Sequence, residues 1–120
     1  MPFNKLVGIR VLHTHADGVT IGCTLRDDLK NLAGVMHGGV LATLADAAAG
    51  IALIRHFDGR RSATTTDLKI NYLRPISEGK LLARAYLLRI GKHLCVSRVD
   101  LTDDKKRLAA VALVTYMILE

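Results

Sequence analysis

The chain has 120 residues, of which 50% are hydrophobic and 4% aromatic, with no Trp. We expect one domain, residues 1–120, with a moderate aliphatic core and no separate regulatory module. The formal net charge of +6 favours an anionic partner. The pattern argues against nucleic acid, because it contains no clustered basic helix, no zinc-ligand spacing and no aromatic stacking surface. A phosphorylated small molecule fits the charge better.

The first quarter of the chain predicts two strands and a loop. Lys5–His15 and Gly18–Leu25 alternate apolar and polar residues, and Asp17-Gly18 supplies a hairpin turn between them. Asp27–Lys30 is predicted to be a polar loop. The N-terminus has no signal-peptide h-region, so we expect a cytoplasmic protein. Cys23 and Cys95, far apart in strand-like segments, are expected to be buried, reduced thiols.

The segment Asn31–His56 combines a long helical pattern with polar residues at its entrance and midpoint. Apolar residues recur at helical spacing after His37-Gly38-Gly39, so we predict that the helix begins at the two glycines. Glycine allows close approach to the backbone, and the first N–H groups of a helix lack internal acceptors at the positive end of its dipole. This end can polarise a carbonyl oxygen. The alternative is an ordinary glycine cap.

Asp46 is a carboxylate midway along this helix, among small neighbours at Thr43, Ala47 and Gly50. Other groups can approach such a helix closely, so we predict that Asp46 lies in a contact or cleft, where it can act as a general base or a nucleophile. The alternative is a solvated aspartate. Because Asp46 interrupts the short apolar run, we predict no membrane span.

The distance along the helix separates these two features. Asp46 follows His37 by nine positions, which is about 900° of rotation and about 13.5 Å of rise on an ideal helix. If both act on one substrate, the site must combine the entrance of one helix with the aspartate of another copy. That arrangement predicts a dimer with two shared sites.

Four strand-like segments follow the helix. Ser62–Leu73 is polar on one side, as expected of an edge strand or a strand paired with a second subunit. Its alternation places Thr65 with Asp67 on one face and Leu68 with Ile70 on the other. Two strands, one helix and four strands predict an α+β fold in which an antiparallel sheet wraps a single helix. The remaining three segments are Leu81–Ile90, Leu94–Leu101 and Leu108–Leu119.

Three groups of residues carry a family resemblance: Asn31 with His37-Gly38-Gly39, then Leu44-Ala-Asp46, then Thr65 through Pro75. Together they resemble the hotdog-fold acyl-CoA thioesterases, in the branch of the phenylacetate-pathway thioesterase and thioesterase-superfamily-member-2 types. The likeness runs from about Asn31 to Thr102. It implies a hotdog fold and a homodimer with a continuous sheet, often doubled to a homotetramer.

The resemblance implies roles for the residues of the catalytic site. The Gly38 backbone N–H would bind the thioester carbonyl oxygen, with Gly39 nearby and His37 and Asn31 bracing the entrance. Asp46 of the neighbouring subunit would act on water or attack the carbonyl, and these alternatives stay open. Thr65 matches a position that orients the nucleophilic water. For His37 we favour a structural hydrogen bond over proton transfer, and Asn31 alone can equally cap a turn.

The resemblance also implies an acyl-CoA substrate, with no bound cofactor. Its coenzyme contacts are expected among residues of two segments, although basic residues at strand ends are usually solvated. The other histidines show no metal-ligand spacing, so we predict no metal. The expected substrate-binding residues, besides Gly39, are Tyr72, Arg74, Arg89, Gly91 and Lys92.

We therefore predict a thioesterase that hydrolyses an aryl or short- to medium-chain acyl-CoA to the free acid and CoA. Two alternatives stay open on the same fold. One is an enoyl-CoA hydratase or dehydratase, which needs a His/Asp acid–base pair. The other is a non-catalytic acyl-CoA-binding module, against which the presence of Asp46 argues.

Overall fold

A computed structural model describes residues 1–119 of the chain. The elements in chain order are α1 (Pro2–Val7), β1 (Arg10–His15), β2 (Gly18–Thr24), α2 (Gly38–His56), β3 (Ala63–Tyr72), β4 (Lys80–Ile90), β5 (Leu94–Thr102) and β6 (Leu108–Ile118). The strands form one antiparallel sheet in the order β1-β2-β4-β5-β6-β3, with the long helix α2 packed against it. This arrangement confirms the predicted α+β hotdog architecture.

Helix α2 begins at Gly38, as the sequence predicted, and provides the centre of the core. Leu44, Ala45 and Ala48 are fully buried against the sheet. Small side chains on this face let the helix lie close to the sheet, where the apolar area removed from water stabilises the fold. The helix is long and apolar enough to cross a membrane, but a buried core helix meets the same test. The expectation of no membrane span stays a prediction.

The prediction of one strand over Lys5–His15 is wrong at its beginning. Pro2–Val7 forms the short helix α1, with Pro2 in its first turn and Gly8 closing it in the left-handed conformation at φ 90°. Proline favours the first helical position and glycine the position after the last. The strand starts only at Arg10.

The two ends of the sheet are strands β1 and β3. The polar pattern of Ser62–Leu73 predicted an edge strand, and β3 occupies that position. It pairs with β6 on one side only. Within residues 1–119 its other edge has no strand partner.

Both cysteines are buried and unpaired, as the sequence predicted. Cys23 lies in β2 and Cys95 in β5. Burial raises the pKa of each thiol, because the charged thiolate is poorly solvated there.

Candidate active site

The loop before α2 is organised by Asn31. Its side-chain Oδ1 accepts hydrogen bonds from the backbone N–H groups of Ala33 at 2.9 Å and Val35 at 3.3 Å, and its own N–H donates to the Val35 carbonyl oxygen at 2.8 Å. Such a side chain replaces backbone partners in a tight turn. Asn31 therefore shapes the loop that leads into the helix.

The backbone and the side chain of His37 each make a hydrogen bond that holds the helix entrance in place. The His37 N–H donates to the Leu29 carbonyl oxygen at 2.8 Å, and the imidazole Nδ1 accepts the Gly39 N–H at 2.8 Å. Leu29 is itself buried in a short 3-10 turn at Asp27–Leu29, so this segment is not the wholly polar loop predicted from the sequence. The Gly39 contact makes His37 an N-cap and requires its Nδ1 to be unprotonated.

The two glycines of the entrance differ in their hydrogen bonding. The Gly39 N–H is taken by His37, whereas the Gly38 N–H donates to no atom of residues 1–119. Gly38 is the first residue of α2, where the aligned backbone dipoles leave partial positive charge. Its N–H is therefore the donor at the entrance that can bind a carbonyl oxygen.

Tyr72 covers the entrance. Its hydroxyl donates to the Gly38 carbonyl oxygen at 2.7 Å, and a Cβ at position 38 would lie 3.2 Å from the phenol ring. A side chain there would push the ring away, so glycine allows the contact. A cavity of about 360 Å³ adjoins it, with Gly38, Tyr72, Arg74 and Ile76 in its lining. The structure thus brings three of the predicted site residues together.

Arg89, Gly91 and Lys92 lie elsewhere: Arg89 is near the end of β4, and Gly91 and Lys92 are in the turn between β4 and β5. The Gly91 N–H donates to the Leu94 carbonyl oxygen at 2.8 Å. This turn leads into Cys95, which packs with Leu53 near the C-terminal end of α2. Because a helix rises about 1.5 Å per residue, nearly the whole length of α2 separates the turn from Gly38. One chain does not combine these residues with Tyr72 and Arg74.

Asp46 is half-buried and held by two hydroxyl groups. Its Oδ1 accepts hydrogen bonds from Thr65 Oγ1 at 2.7 Å and from the Tyr116 hydroxyl at 2.7 Å. The Tyr116 hydroxyl also lies 2.9 Å from the Asp46 carbonyl oxygen. Within residues 1–119, Oδ2 accepts no hydrogen bond from another side chain. One oxygen of the carboxylate is fixed and the other is available.

A β-bulge in β3 brings Thr65 to this carboxylate. Thr65 pairs with Tyr116 and Asp67 with Thr115, so Thr66 is an extra residue in the strand. The extra residue reverses the alternation, and Thr65 faces α2 together with Leu68. The prediction that Thr65 and Leu68 lie on opposite faces is therefore wrong, because simple alternation does not include a bulge.

Tyr116 was not among the residues predicted from the sequence. Tyr116 follows the buried residues Ala112 and Val114 by four and two positions in β6. Alternate residues of a strand share a face, so this spacing could have placed Tyr116 on the buried face. Burial raises the pKa of Tyr116 well above its ordinary value, and the nearby Asp46 carboxylate adds to the shift. The phenol therefore stays protonated and donates to Asp46.

A cavity of about 300 Å³ adjoins Asp46, with Phe3, Ala47, Ile51 and Ile54 in its lining. A second, more apolar cavity of about 490 Å³ continues along Ile51 and Ile54 beneath α1. The sequence analysis did not predict α1 and therefore did not predict this wall. The carboxylate thus opens onto apolar space wide enough for an acyl group.

Gly38 and Asp46 remain apart within one chain. They are eight residues apart on one continuous helix, a rise of about 12 Å. Within residues 1–119, no three His, Cys, Asp or Glu side chains are grouped as a metal site.

Solved structures share this architecture. Thioesterase HI1161 of Haemophilus influenzae superposes with a TM-score of 0.94 at 24% identity, covering 98% of this chain and 82% of that one. A mutant of the phenylacetic acid degradation protein PaaI of Thermus thermophilus gives a TM-score of 0.89 at 28% identity, covering 99% and 100%. The chain therefore has the hotdog fold of these structures.

Sequence comparison places the chain more closely. A family model described as the Thioesterase superfamily matches residues 33–110. The medium/long-chain acyl-CoA thioesterase YigI of Escherichia coli is 30% identical over 133 residues, covering 98% of this chain and 86% of that protein. The chain belongs to the thioesterase superfamily.

A second relative by sequence matches over a shorter stretch. It is a provisionally named esterase of Saccharolobus solfataricus, 33% identical over 92 residues and 77% of this chain. The match covers 61% of that protein, less than two thirds of its length.

Proposed function

We propose that the chain is an acyl-CoA thioesterase that hydrolyses an aryl or short- to medium-chain acyl-CoA to the free acid and CoA, at a site formed between two copies. The observation that carries the proposal is the arrangement of Asp46, whose Oδ1 is fixed by two hydroxyl groups and which lines a cavity with mainly apolar walls. The Gly38 N–H, which has no acceptor within residues 1–119, supplies the hydrogen-bond donor for the thioester carbonyl oxygen.

In the proposed reaction, the Gly38 N–H and the helix dipole bind the thioester carbonyl oxygen and stabilise the negative charge that develops on it. One such donor is worth about 2.7–4 kcal/mol of barrier. Asp46 either takes a proton from water, whose oxygen attacks the carbonyl carbon, or attacks that carbon itself to form an anhydride that water then hydrolyses. The carbon–sulfur bond breaks, and the CoA sulfur leaves as a thiolate that takes up a proton.

The open edge of β3 offers a way to bring the two groups together. Thr65 contacts Asp46, and Tyr72, at the other end of the strand, contacts Gly38. If a second copy pairs with this edge in antiparallel register centred on Lys69, the extra residue Thr66 places Thr65 of one copy opposite Tyr72 of the other. The carboxylate of one subunit then approaches the helix entrance of its partner.

The charge and the cavities support an acyl-CoA substrate. Arg74 lines the cavity at the entrance, and in the proposed dimer the β4–β5 turn with Arg89 and Lys92 can meet the partner's entrance. Basic side chains there would bind the phosphates of coenzyme A. The cavities beside Asp46 suit an apolar acyl group. We further propose a homodimer that can double to a tetramer, in the cytoplasm, where buried reduced thiols are stable.

Release of free thiol from a panel of short, medium, long and aromatic acyl-CoAs tests this function. Long chains belong in the panel because the relative YigI is named for medium- and long-chain substrates. We expect wild type to turn over at least one member and both Asp46→Asn and Asp46→Ala to lose activity while folding and assembly persist. Asp58→Asn, in an exposed turn with positive φ that Asn tolerates, is the matched control.

Other outcomes would overturn the proposal. Hydration of crotonyl-CoA without thiol release would indicate a hydratase. Binding of acyl-CoA without turnover by folded wild type would indicate a binding module.

A further inference from the structure

Gly50 and Tyr116 form a contact that the proposed reaction does not by itself require. A Cβ at position 50 would lie 2.5 Å from the Tyr116 hydroxyl oxygen and 3.1 Å from Cζ. Real Cβ atoms do not approach other atoms so closely, so any side chain at position 50 would displace the phenol. Glycine in the middle of a helix lowers stability, and here it leaves room for a hydroxyl group.

The phenol reaches Asp46 at two atoms. Its oxygen lies 2.7 Å from Oδ1 and 2.9 Å from the carbonyl oxygen of the same residue. A phenol has one hydrogen to donate, so the two Asp46 oxygens share it, with Oδ1 the nearer acceptor. Thr65, which lies opposite Tyr116 on the neighbouring strand β3, donates to the same Oδ1 at 2.7 Å. Both hydroxyl groups donate to Oδ1, and neither donates to Oδ2.

We propose that Tyr116 is a positioning residue that, together with Thr65, reserves Oδ1 of Asp46 and leaves Oδ2 as the oxygen that meets the reacting water or carbonyl. The inference rests on the proposed function. Tyr116 contacts no reacting atom, so its effect passes through the orientation of Asp46. Small displacements of a reacting group reduce the rate strongly.

Two donors to one atom are partly redundant, and this leads to a quantitative expectation. If either hydroxyl is removed, the other still holds Oδ1, and we expect kcat to fall about tenfold. If both are removed, the carboxylate turns freely, and we expect a loss of about a thousandfold or more, beyond the product of the single effects. KM should change less than about twofold, because neither hydroxyl is proposed to bind substrate.

The test compares Tyr116→Phe, Thr65→Val and the double variant by thiol release, with Asp46→Asn as the reference for loss of the carboxylate. Tyr86→Phe is the matched control, since Tyr86 lies between Arg84 and Arg98 on the face of the sheet away from α2. Gly50→Ala keeps the phenol but displaces it, and it should reproduce the kcat loss of Tyr116→Phe. Crystal structures of the variants report the Asp46 rotamer directly.

The outcomes separate the two proposals. If wild type releases thiol and Tyr116→Phe keeps its kcat, or if the loss appears in KM, the positioning role is overturned while the proposed function stands. If wild type releases no thiol from any substrate, the proposed function fails and the inference fails with it. A lone Asp46 rotamer in the double variant would also overturn the inference.

Discussion

The Tyr72 hydroxyl donates to the Gly38 carbonyl oxygen at 2.7 Å and so pins the first turn of the central helix to the end of an edge strand. The bond fixes the peptide that follows Gly38, next to the N–H proposed to bind the thioester oxygen. Tyr72 is 53% exposed, so the bond contributes little to stability, on the order of 1 kcal/mol. Its value lies in the position of the entrance.

For Tyr72→Phe we expect a fall of about threefold to tenfold in kcat/KM for the best acyl-CoA, because the entrance loses its tether. The melting temperature should stay close to that of wild type. Steady-state thiol release together with thermal unfolding checks both expectations. A Tyr72→Phe enzyme with full activity would show that the hydroxyl plays no part in holding Gly38.

His37 should act through its cap and not as a proton carrier. His37→Asn retains a capping side chain, whereas His37→Ala loses it at a cost of about 1 kcal/mol of stability. We therefore expect His37→Asn to keep most of its activity and stability and His37→Ala to lose stability. Chemical denaturation and thiol release measure the two effects. Near-complete loss of kcat in a stable His37→Asn would assign the imidazole a chemical role.

Tyr116 should ionise later than a free tyrosine. Burial, followed by the charge of Asp46, raises its pKa above the ordinary value of 10.0. Folding therefore favours the neutral phenol, and this contribution to stability is present below about pH 10 and is lost as the pH rises above it. In an ultraviolet titration, the tyrosinate absorbance of wild type should exceed that of Tyr116→Phe only above pH 10. A difference between the two titration curves that is centred at or below pH 10 would contradict the buried hydrogen bond.

Asp103 should make the fold sensitive to acid. The backbone N–H and guanidinium of Arg107 hold the pKa of this carboxyl below its ordinary value of 3.8, with help from the Lys105 N–H. The contribution to stability is present above that value and is lost as the pH falls below it. We expect Asp103→Asn to melt below wild type at neutral pH, with the difference shrinking as the pH falls below 3.8. Asp27→Asn, an exposed ion-pair partner, is the control and should change little.

Arg26 should hold α1 over the apolar cavity. Its guanidinium donates to the Val7 carbonyl oxygen at 2.7 Å and to that of Leu6 at 2.8 Å. A lysine cannot reproduce this fork. We expect Arg26→Lys to lose hydrogen-exchange protection at the α1 amides while α2 stays protected, and to show an altered preference for acyl length. Arg60→Lys, in an exposed turn, is the control. Unchanged protection of α1 would remove Arg26 from this role.

The sequence predicted the central features of the fold because they depend on local pattern. Helical spacing after Gly38 located α2, and the polar side of β3 indicated an edge strand. The N-terminal helix was missed because the alternation around Ile9 and Val11 was extended upstream, although Pro2 and Gly8 are typical of helix ends. Local signals were present there but were outweighed.

The candidate site was harder to predict, because parts of it depend on contacts between distant residues. Asp46 and Gly38 were identifiable from their place in the helix. The approach of Thr65 depends on a bulge, and that of Tyr116 depends on the absence of a side chain at Gly50. Neither follows from alternation alone. Arg89 and Arg74 lie far apart because of the order of the strands in the sheet. Identifying basic residues at strand ends does not reveal that order.

The most direct measurement of the shared site mixes two inactive variants. Gly38→Pro removes the N–H donor, and its ring also displaces Tyr72 from the entrance. The helix itself should persist, since proline is favoured at the first helical position and His37 already has an extended ψ of 135°. Asp46→Asn removes the carboxylate. The two variants are unfolded, mixed in equal amounts, refolded together and assayed for thiol release, with each variant refolded alone as the control.

In hybrid dimers one site keeps both groups if the site spans two subunits. Random assembly then restores about a quarter of wild-type activity. If both groups act within one chain, every site in a hybrid lacks one of them. Activity that stays at the level of the separate variants, in a mixture shown to contain hybrids, would contradict the shared site.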